Sequence, residues 1–206
     1  MEQQMRCEII SWRRVEQLCR ILFRAIRRGG FKPDAIVTIA RGGYVPARLL
    51  CDYFDITALS SIRVEHYVGA RKKKLARLVE PLGIAIQGLN ILLVDDVSDT
   101  GDTLELAIRH LGGFGPREIR TAVLHHKTVS TVIPDYYAQR IVKWRWIIYP
   151  WAVQEDISGF LAGLEKRPAS AAEAGRILAE RYGLRIAERL LREIMSATTP
   201  GQRAVG

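Results

Sequence analysis

No apolar run in these 206 residues approaches the roughly 20 needed to span a bilayer. The first residues, Met1-Glu2-Gln3-Gln4, are polar and acidic and hold no secretory apolar core. A cytoplasmic protein is therefore expected. Cysteine is scarce: Cys7, Cys19 and Cys51 stand far apart, with no Cys-x-x-Cys pair. Neither a disulfide framework nor structural zinc is expected, only free buried thiols. Asparagine is scarcer still, since Asn90 is the only one, while arginine far outnumbers lysine. That composition points to a thermophilic source. Acidic charge also falls short. Asp and Glu total 22 against 31 Lys and Arg, a formal net charge of +9. A basic chain attracts polyanions without specifying which, so nucleic acid and a small phosphorylated substrate both fit.

What is present describes a folded chain. The hydrophobic fraction of 48% argues against disorder, and the length suits one domain with an appendage. Val15, Leu18, Cys19, Leu22, Phe23 and Ile26 recur at helical spacing after Ser11, a candidate N-cap, and Gly29-Gly30 ends the run. Ala35–Ile39 is a short β-branched apolar run and predicts a buried strand. A helix follows Gly42-Gly43 through Leu49-Leu50, and a further strand is placed within Ile56–Val64. Tyr67–Val79 is polar and strongly basic, and predicts an exposed loop.

Asn90–Val94 predicts a second buried strand, Leu104–Leu111 a helix, and Ile119–Leu124 another strand. Strand, loop and helix alternate, which predicts an α/β fold with a mainly parallel sheet. Beyond Val142 the chain becomes rich in Trp. Ser170-Ala171-Ala172-Glu173 is a capping box that opens a helix ended by Gly183. Ala187, Leu190, Leu191 and Ile194 mark the apolar stripe of a last helix, and the tail after Thr198 is expected to fray.

The most informative stretch is Ile91-Leu92-Leu93-Val94-Asp95-Asp96-Val97-Ser98-Asp99-Thr100-Gly101-Asp102-Thr103-Leu104. Ligands of open α/β sheets bind beyond the carboxyl ends of strands. Here an apolar strand ends in two adjacent carboxylates and turns through hydroxyls and a glycine into a helix. Backbone N–H groups at a helix N-terminus bind anions, Gly101 permits close approach, and Ser98, Thr100 and Thr103 add hydroxyls. Two carboxylates can hold a ribose diol and, directly or through water, a hard Mg²⁺ ion. The competing reading of any one such Asp is a turn or cap residue.

This stretch resembles the phosphoribosyl pyrophosphate signature of the type I phosphoribosyltransferases. The resemblance implies their fold: a mainly parallel twisted sheet flanked by helices, with a small hood. It spans roughly residues 30–160. We expect a core with hood over 1–162, the hood lying mainly in 128–162, and a C-terminal helical extension over 163–206. It also implies that Asp95 and Asp96 contact the ribose hydroxyls and Mg²⁺. Ser98, Thr100, Gly101, Asp102 and Thr103 would bind the 5-phosphate. Thr38–Ala47 resembles the family's pyrophosphate loop, with Arg41 and Gly42 as ligand residues and Ala40–Arg41 as the bond expected to be cis. Tyr67–Val79 falls where the family carries a mobile flap.

Asp99 resembles the loop acid of 6-oxopurine enzymes, which implies a general acid/base at N7 of the base; a helix-capping carboxylate is the alternative. Lys127, at the end of Leu124-His125-His126-Lys127-Thr128, matches a lysine that donates to O6. His125-His126 looks like a metal pair, but neighbours on a strand face opposite sides. Trp144–Trp151 resembles the hood, with Trp146 stacking on the base and the Ile147 backbone reading its edge. Such stacking is worth about 1–3 kcal/mol. Core or dimer contacts are expected of Trp144 and Trp151. Where relatives place an acid for a second Mg²⁺ this chain has Ala152-Val153, with Glu155-Asp156 later.

The implied activity joins a purine, with 6-oxopurines favoured, to phosphoribosyl pyrophosphate, giving a nucleoside monophosphate and pyrophosphate. Mg²⁺ is the expected cofactor and a homodimer or larger homo-oligomer the expected assembly. Two alternatives stay open: an adenine enzyme on the same scaffold, and a regulator that senses phosphoribosyl pyrophosphate while binding nucleic acid. Nothing in the chain reads as a winged helix or RNA-binding motif.

Overall fold

The computed structural model describes residues 5–68 and 74–197, with side chains at 66–68 and 74–75 left aside. The chain forms two compact units. One comprises residues 13–143, the other residues up to 12 together with those from 144 onward.

The larger unit is built on a six-stranded sheet of order β4-β3-β2-β5-β6-β7. Its strands are β2 (Ala35–Ala40), β3 (Leu59–Val68), β4 (Lys74–Glu80), β5 (Asn90–Ser98), β6 (Glu118–Lys127) and β7 (Tyr136–Ile141). All neighbours run parallel except β3 and β4. Every residue of β2 is buried, as are Ile91–Asp95 of β5. Central strands covered on both faces read as unbroken β-branched and Leu runs, which is why these two were legible.

Around the sheet lie α1 (Trp12–Arg28), α2 (Tyr44–Phe54) and α3 (Asp102–Gly112). Helix α1 buries Val15, Leu18, Cys19, Leu22 and Ile26, the expected stripe, and Phe23 packs edge-on against Phe54 with ring centroids 4.8 Å apart. On one face of the sheet Val37, Ile39, Ile62 and Leu93 pack with Leu104, Ala107 and Leu111 of α3. At about 25 cal/mol per Å², burying each such side chain contributes roughly 1.5–3 kcal/mol. The chain therefore returns each β–α crossover to the sheet and brings the C-terminal ends of β2, β5 and β6 side by side.

The basic segment corrects the expectation of a loop over Tyr67–Val79. Strand β3 continues to Val68, and β4 begins at Lys74 and pairs with it antiparallel, Tyr67 opposite Leu75 and Glu65 opposite Arg77. Successive lysines and arginines mask a strand pattern that cross-strand pairing nonetheless stabilises. Residues 69–73 lie outside the described residues. So do 198–206, where fraying was expected.

The smaller unit holds a two-stranded parallel sheet of β1 (Cys7–Ile9) and β8 (Trp146–Ile148), with α4 (Val153–Ala162), α5 (Ala171–Tyr182) and α6 (Glu188–Ala197). Ile148, Ile157, Leu161, Ala174, Leu178, Leu191 and Ile194 form one core, so strand β8 and the last two helices share their apolar contacts. Helix α5 is capped as expected: Ser170 Oγ accepts from Glu173 N at 3.2 Å, and Glu173 accepts in return from Ala169 N at 2.7 Å. Helix α6 departs from its expected stripe, since Ala187 precedes the helix and Leu190 is exposed. The three cysteines are free. Among the described residues no helix is long and apolar enough to cross a membrane.

Candidate active site

Strand β5 carries its apolar run to Val94 and then presents Asp95 and Asp96. Asp95 is buried, and its Oδ1 accepts the Asp96 amide at 2.9 Å. Burial first, and the neighbouring charge of Asp96 second, push the Asp95 carboxyl well above the usual carboxylate range. Two acids held this closely favour a cation, or hydroxyl donors, beside them.

The turn after β2 is fitted to these acids. A Cβ on Gly42 would lie 2.4 Å from Asp96 Oδ2, and one on Gly43 would lie 2.4 Å from Thr38 Oγ1 and 2.6 Å from the Val94 carbonyl. Gly43 is required, because a methyl there would meet the backbone carbonyls of Val94 and Ile39, whereas at Gly42 the Asp96 side chain would have to move. The Ala40–Arg41 peptide is cis.

Beyond Asp96 the chain turns through Ser98–Gly101 into α3. Gly101 caps the helix at φ +99° and accepts the Glu105 amide at 2.9 Å. Thr100 Oγ1 donates to Asp102 Oδ2 at 2.9 Å. The 11-residue helix thus opens from a loop of two hydroxyls, a glycine and the Asp99 carboxylate.

Of the predicted residues, Gly42, Asp95, Asp96, Ser98, Asp99, Thr100, Gly101 and Thr103 line one cavity of about 250 Å³. Arg41 and Asp102 are not in its wall. Ile39, Val64, Val97 and Leu104 are, and give it an apolar side that sequence reasoning missed. Ile39, Val97 and Leu104 fell inside the motif stretches without a role of their own, and nothing local distinguishes an apolar residue that also faces a cavity.

Asp99 meets Lys127. The Lys127 Nζ donates to Asp99 Oδ2 at 2.7 Å, with the lysine side chain 3% exposed and the aspartate 37%. Two residues 28 positions apart, each expected to serve the base, are joined by an ion pair at the adjacent ends of β5 and β6. His125 and His126 precede Lys127 on β6, both buried. Among the described residues no group of three His, Cys, Asp or Glu side chains gathers as metal ligands.

Trp146 and Ile147 lie on β8 of the smaller unit. Ile147 is buried, while Trp146 is 37% exposed and meets Phe160 edge to face at 6.4 Å. Trp151 stacks on Tyr149 at 4.8 Å, a packing role, whereas Trp144 is exposed.

The segment after Lys127 was not singled out from sequence. Thr131 donates to the Thr100 carbonyl from both its amide, at 2.8 Å, and its Oγ1, at 3.0 Å, and Ser130 Oγ lies 2.8 Å from Ser98 Oγ. The run of hydroxyls in Thr128-Val129-Ser130-Thr131 was the available signal.

A family model described as "Phosphoribosyl transferase domain" matches residues 6–156. The chain belongs to that family. The match takes in every cavity residue, and α5 and α6 lie beyond it. Among solved structures, this phosphoribosyltransferase is similar to a purine phosphoribosyltransferase from Pyrococcus horikoshii Ot3, with 35% identity and a TM-score of 0.64 over 71% of this chain and 94% of that one. It is 28% identical over 167 residues to a xanthine-guanine phosphoribosyltransferase of Desulfotalea psychrophila, covering 81% of this chain and 99% of the relative. A hypoxanthine-guanine phosphoribosyltransferase of Saccharomyces cerevisiae is 26% identical, covering 70% of this chain and 85% of the relative.

Proposed function

We propose that this phosphoribosyltransferase acts on 6-oxopurines in purine salvage. It transfers the 5-phosphoribosyl group from phosphoribosyl pyrophosphate to hypoxanthine, guanine or xanthine. The observation that carries this reading is the Lys127–Asp99 ion pair beside the cavity. An ammonium donates hydrogen bonds and accepts none. It therefore favours a base with an acceptor at C6 over adenine, whose amino group there is a donor. Asp99 in turn offers a carboxylate to the N7 proton of the base. The names of the Pyrococcus, Desulfotalea and Saccharomyces relatives agree with a purine substrate.

In this reading Asp95 and Asp96 accept the ribose hydroxyls, and the amides opening α3 hold the 5-phosphate. Gly42 lets the backbone of its turn approach the site closely, and Arg41 supplies a permanent cation. The bond from C1 to pyrophosphate breaks as the bond from C1 to the purine nitrogen forms. The apolar wall of Ile39, Val64 and Leu104 limits water at the ribosyl centre, which water would otherwise capture. Trp146 is the stacking residue on the strength of the resemblance. The donor set at Asp95 and Asp96 suits Mg²⁺: hard oxygens from two adjacent acids, one of them with its carboxyl raised by burial and by the other's charge. Mg²⁺ bound there would neutralise charge on the pyrophosphate leaving group.

The test is nucleotide formation from phosphoribosyl pyrophosphate with adenine, hypoxanthine, guanine and xanthine in parallel, with and without a chelator. A site that loses a required hydrogen bond rejects the wrong ligand by about 10⁴-fold. We expect kcat/KM for the 6-oxopurines to exceed that for adenine by a factor of this order, and Lys127→Ala to narrow the gap. A strong preference for adenine would overturn the placement of Lys127, and full turnover in the chelator would remove Mg²⁺.

A further inference from the structure

The segment after β6 holds the loop after β5 by a directed chain of hydroxyls, and the direction follows from counting protons. A serine hydroxyl has one proton to give. Ser130 Oγ donates to the Val132 carbonyl at 2.8 Å. Its contact with Ser98 Oγ, also 2.8 Å, is then one in which Ser98 donates and Ser130 accepts. Ser98 is 2% exposed, so its single proton is spent inside the protein. One residue on, both donors of Thr131 converge on the Thr100 carbonyl.

A second observation is independent of these bonds. A Cβ on Gly101 would stand 2.8 Å from Thr131 Oγ1, 2.8 Å from the Val132 amide and 3.0 Å from Ser130 Oγ. The 130–132 segment thus lies directly against the glycine that opens α3. It fixes the path of the chain from Ser98 to Gly101, and with it the aim of the helix-opening amides.

We infer that Ser130 and Thr131 are positioning residues for the phosphate loop, and that Ser98 acts through Ser130 rather than by donating to the ligand. The inference rests on the reading of Ser98–Thr103 as a phosphate loop. It assigns that loop's grip to backbone amides and the hydroxyls further along, with Ser98 as an anchor. The same segment begins at Ser130 N donating to the Lys127 carbonyl at 3.0 Å, so the clamp is continuous with the strand end that bears the base-side lysine.

A double-mutant cycle on the full chain tests this, with KM for phosphoribosyl pyrophosphate and for the purine measured separately. Ser98→Ala, Ser130→Ala and the double variant remove the same link. Each should raise KM for phosphoribosyl pyrophosphate by about three- to tenfold, the worth of one buried hydrogen bond, with the double variant no worse than the singles. KM for the purine should move less than twofold. Thr131→Val should behave alike, and Thr131→Ser, which keeps the hydroxyl, should restore parent values. If Ser98→Ala weakens phosphoribosyl pyrophosphate while Ser130→Ala does not, or if the two effects add, Ser98 touches the ligand and the inference falls. Equal losses for Thr131→Val and Thr131→Ser would remove Thr131. Should the parent show no saturable use of phosphoribosyl pyrophosphate at all, the phosphate-loop reading itself fails, a result distinct from any of these.

Discussion

Gly101→Ala meets two separate obstacles whose sizes can be worked out. The residue sits at φ +99°, where an L side chain is strained by about 1–2 kcal/mol. Its new methyl would also stand 2.8 Å from the Val132 amide nitrogen, a backbone atom that cannot swing aside, and 2.8 Å from Thr131 Oγ1. Overpacking of this kind costs about 1–3 kcal/mol. The sum is about 2–5 kcal/mol, or roughly 4–20 °C in Tm for a chain of this size. Gly88 supplies the control. Its φ is +71° but nothing lies within 4 Å of a Cβ there, so Gly88→Ala should carry only the backbone part, roughly 2–8 °C. The kinetic contrast should be sharper. Relief of the overlap must shift the turn that opens α3, and a misplacement near 1 Å costs up to about 10²-fold. We expect Gly101→Ala to raise KM for phosphoribosyl pyrophosphate by ten- to a hundredfold, on the order set by that misplacement, and Gly88→Ala to leave it unchanged. Calorimetric melting and initial-rate assays on the two variants suffice. Equal melting temperatures and a parent-like KM for Gly101→Ala would show that the loop tolerates a methyl group, and the account of its packing would be refuted.

Two further outcomes can be checked with single substitutions. Asp99→Asn should lower kcat by about 10²–10⁴-fold, the usual range for losing a general acid/base, with little change in KM for phosphoribosyl pyrophosphate; near-normal kcat would reduce Asp99 to a loop carboxylate. Asp156 on α4 gives a pH signature of stability. Burial, and secondarily Glu155, raise its carboxyl from 3.8 to about 6, against a hydrogen bond from Trp146 that lowers it; it also faces Cys7 of β1, whose thiol burial, with the charge of Asp156, pushes up to about 11. Because the folded value is raised, the stability linked to Asp156 is full below 3.8 and is lost as pH rises through about 6. Relative to Asp156→Asn, the parent Tm should therefore fall between pH 4 and about 7 and run parallel above that; parallel melting curves throughout would contradict the burial of this acid.

Legibility in the sequence followed the range of the interactions. The strand Ile91–Val94, the acids after it and the turn into α3 lie within one stretch whose residue types each have a local reason, so the loop could be read directly. The cavity's apolar wall could not, because Ile39, Val64 and Leu104 come from three elements and nothing local marks them as facing a cavity. Lys127 was placed by resemblance, but its bond to Asp99 depends on β5 and β6 lying side by side in register, Ser98 opposite His126. Strand β7 was missed because Tyr136–Ile141 sits at the sheet edge and mixes exposed with half-buried positions, which blurs its period of two. Helix α4 follows Pro150-Trp151 with an unremarkable N-cap, Ala152, whose side chain makes no capping bond. At three residues, β1 is too short for any pattern to emerge, and it exists because β8 pairs with it.

That last pairing fixes an order of events during synthesis. Cys7–Ile9 leaves the ribosome early, yet its strand partner, Trp146–Ile148, follows more than 130 residues later. The core that covers β8 draws on residues as far along as Ile194. Residues 13–143, by contrast, are contiguous and carry all the strands of their own sheet. The larger unit can therefore fold as it emerges, N-terminal part first, while the opening segment waits unpaired until β8 has followed it. A fragment ending near residue 143 would hold the six-stranded sheet with a protease-accessible N-terminal segment, and resistance of that segment to cleavage would appear only when β8 and the final helices are present.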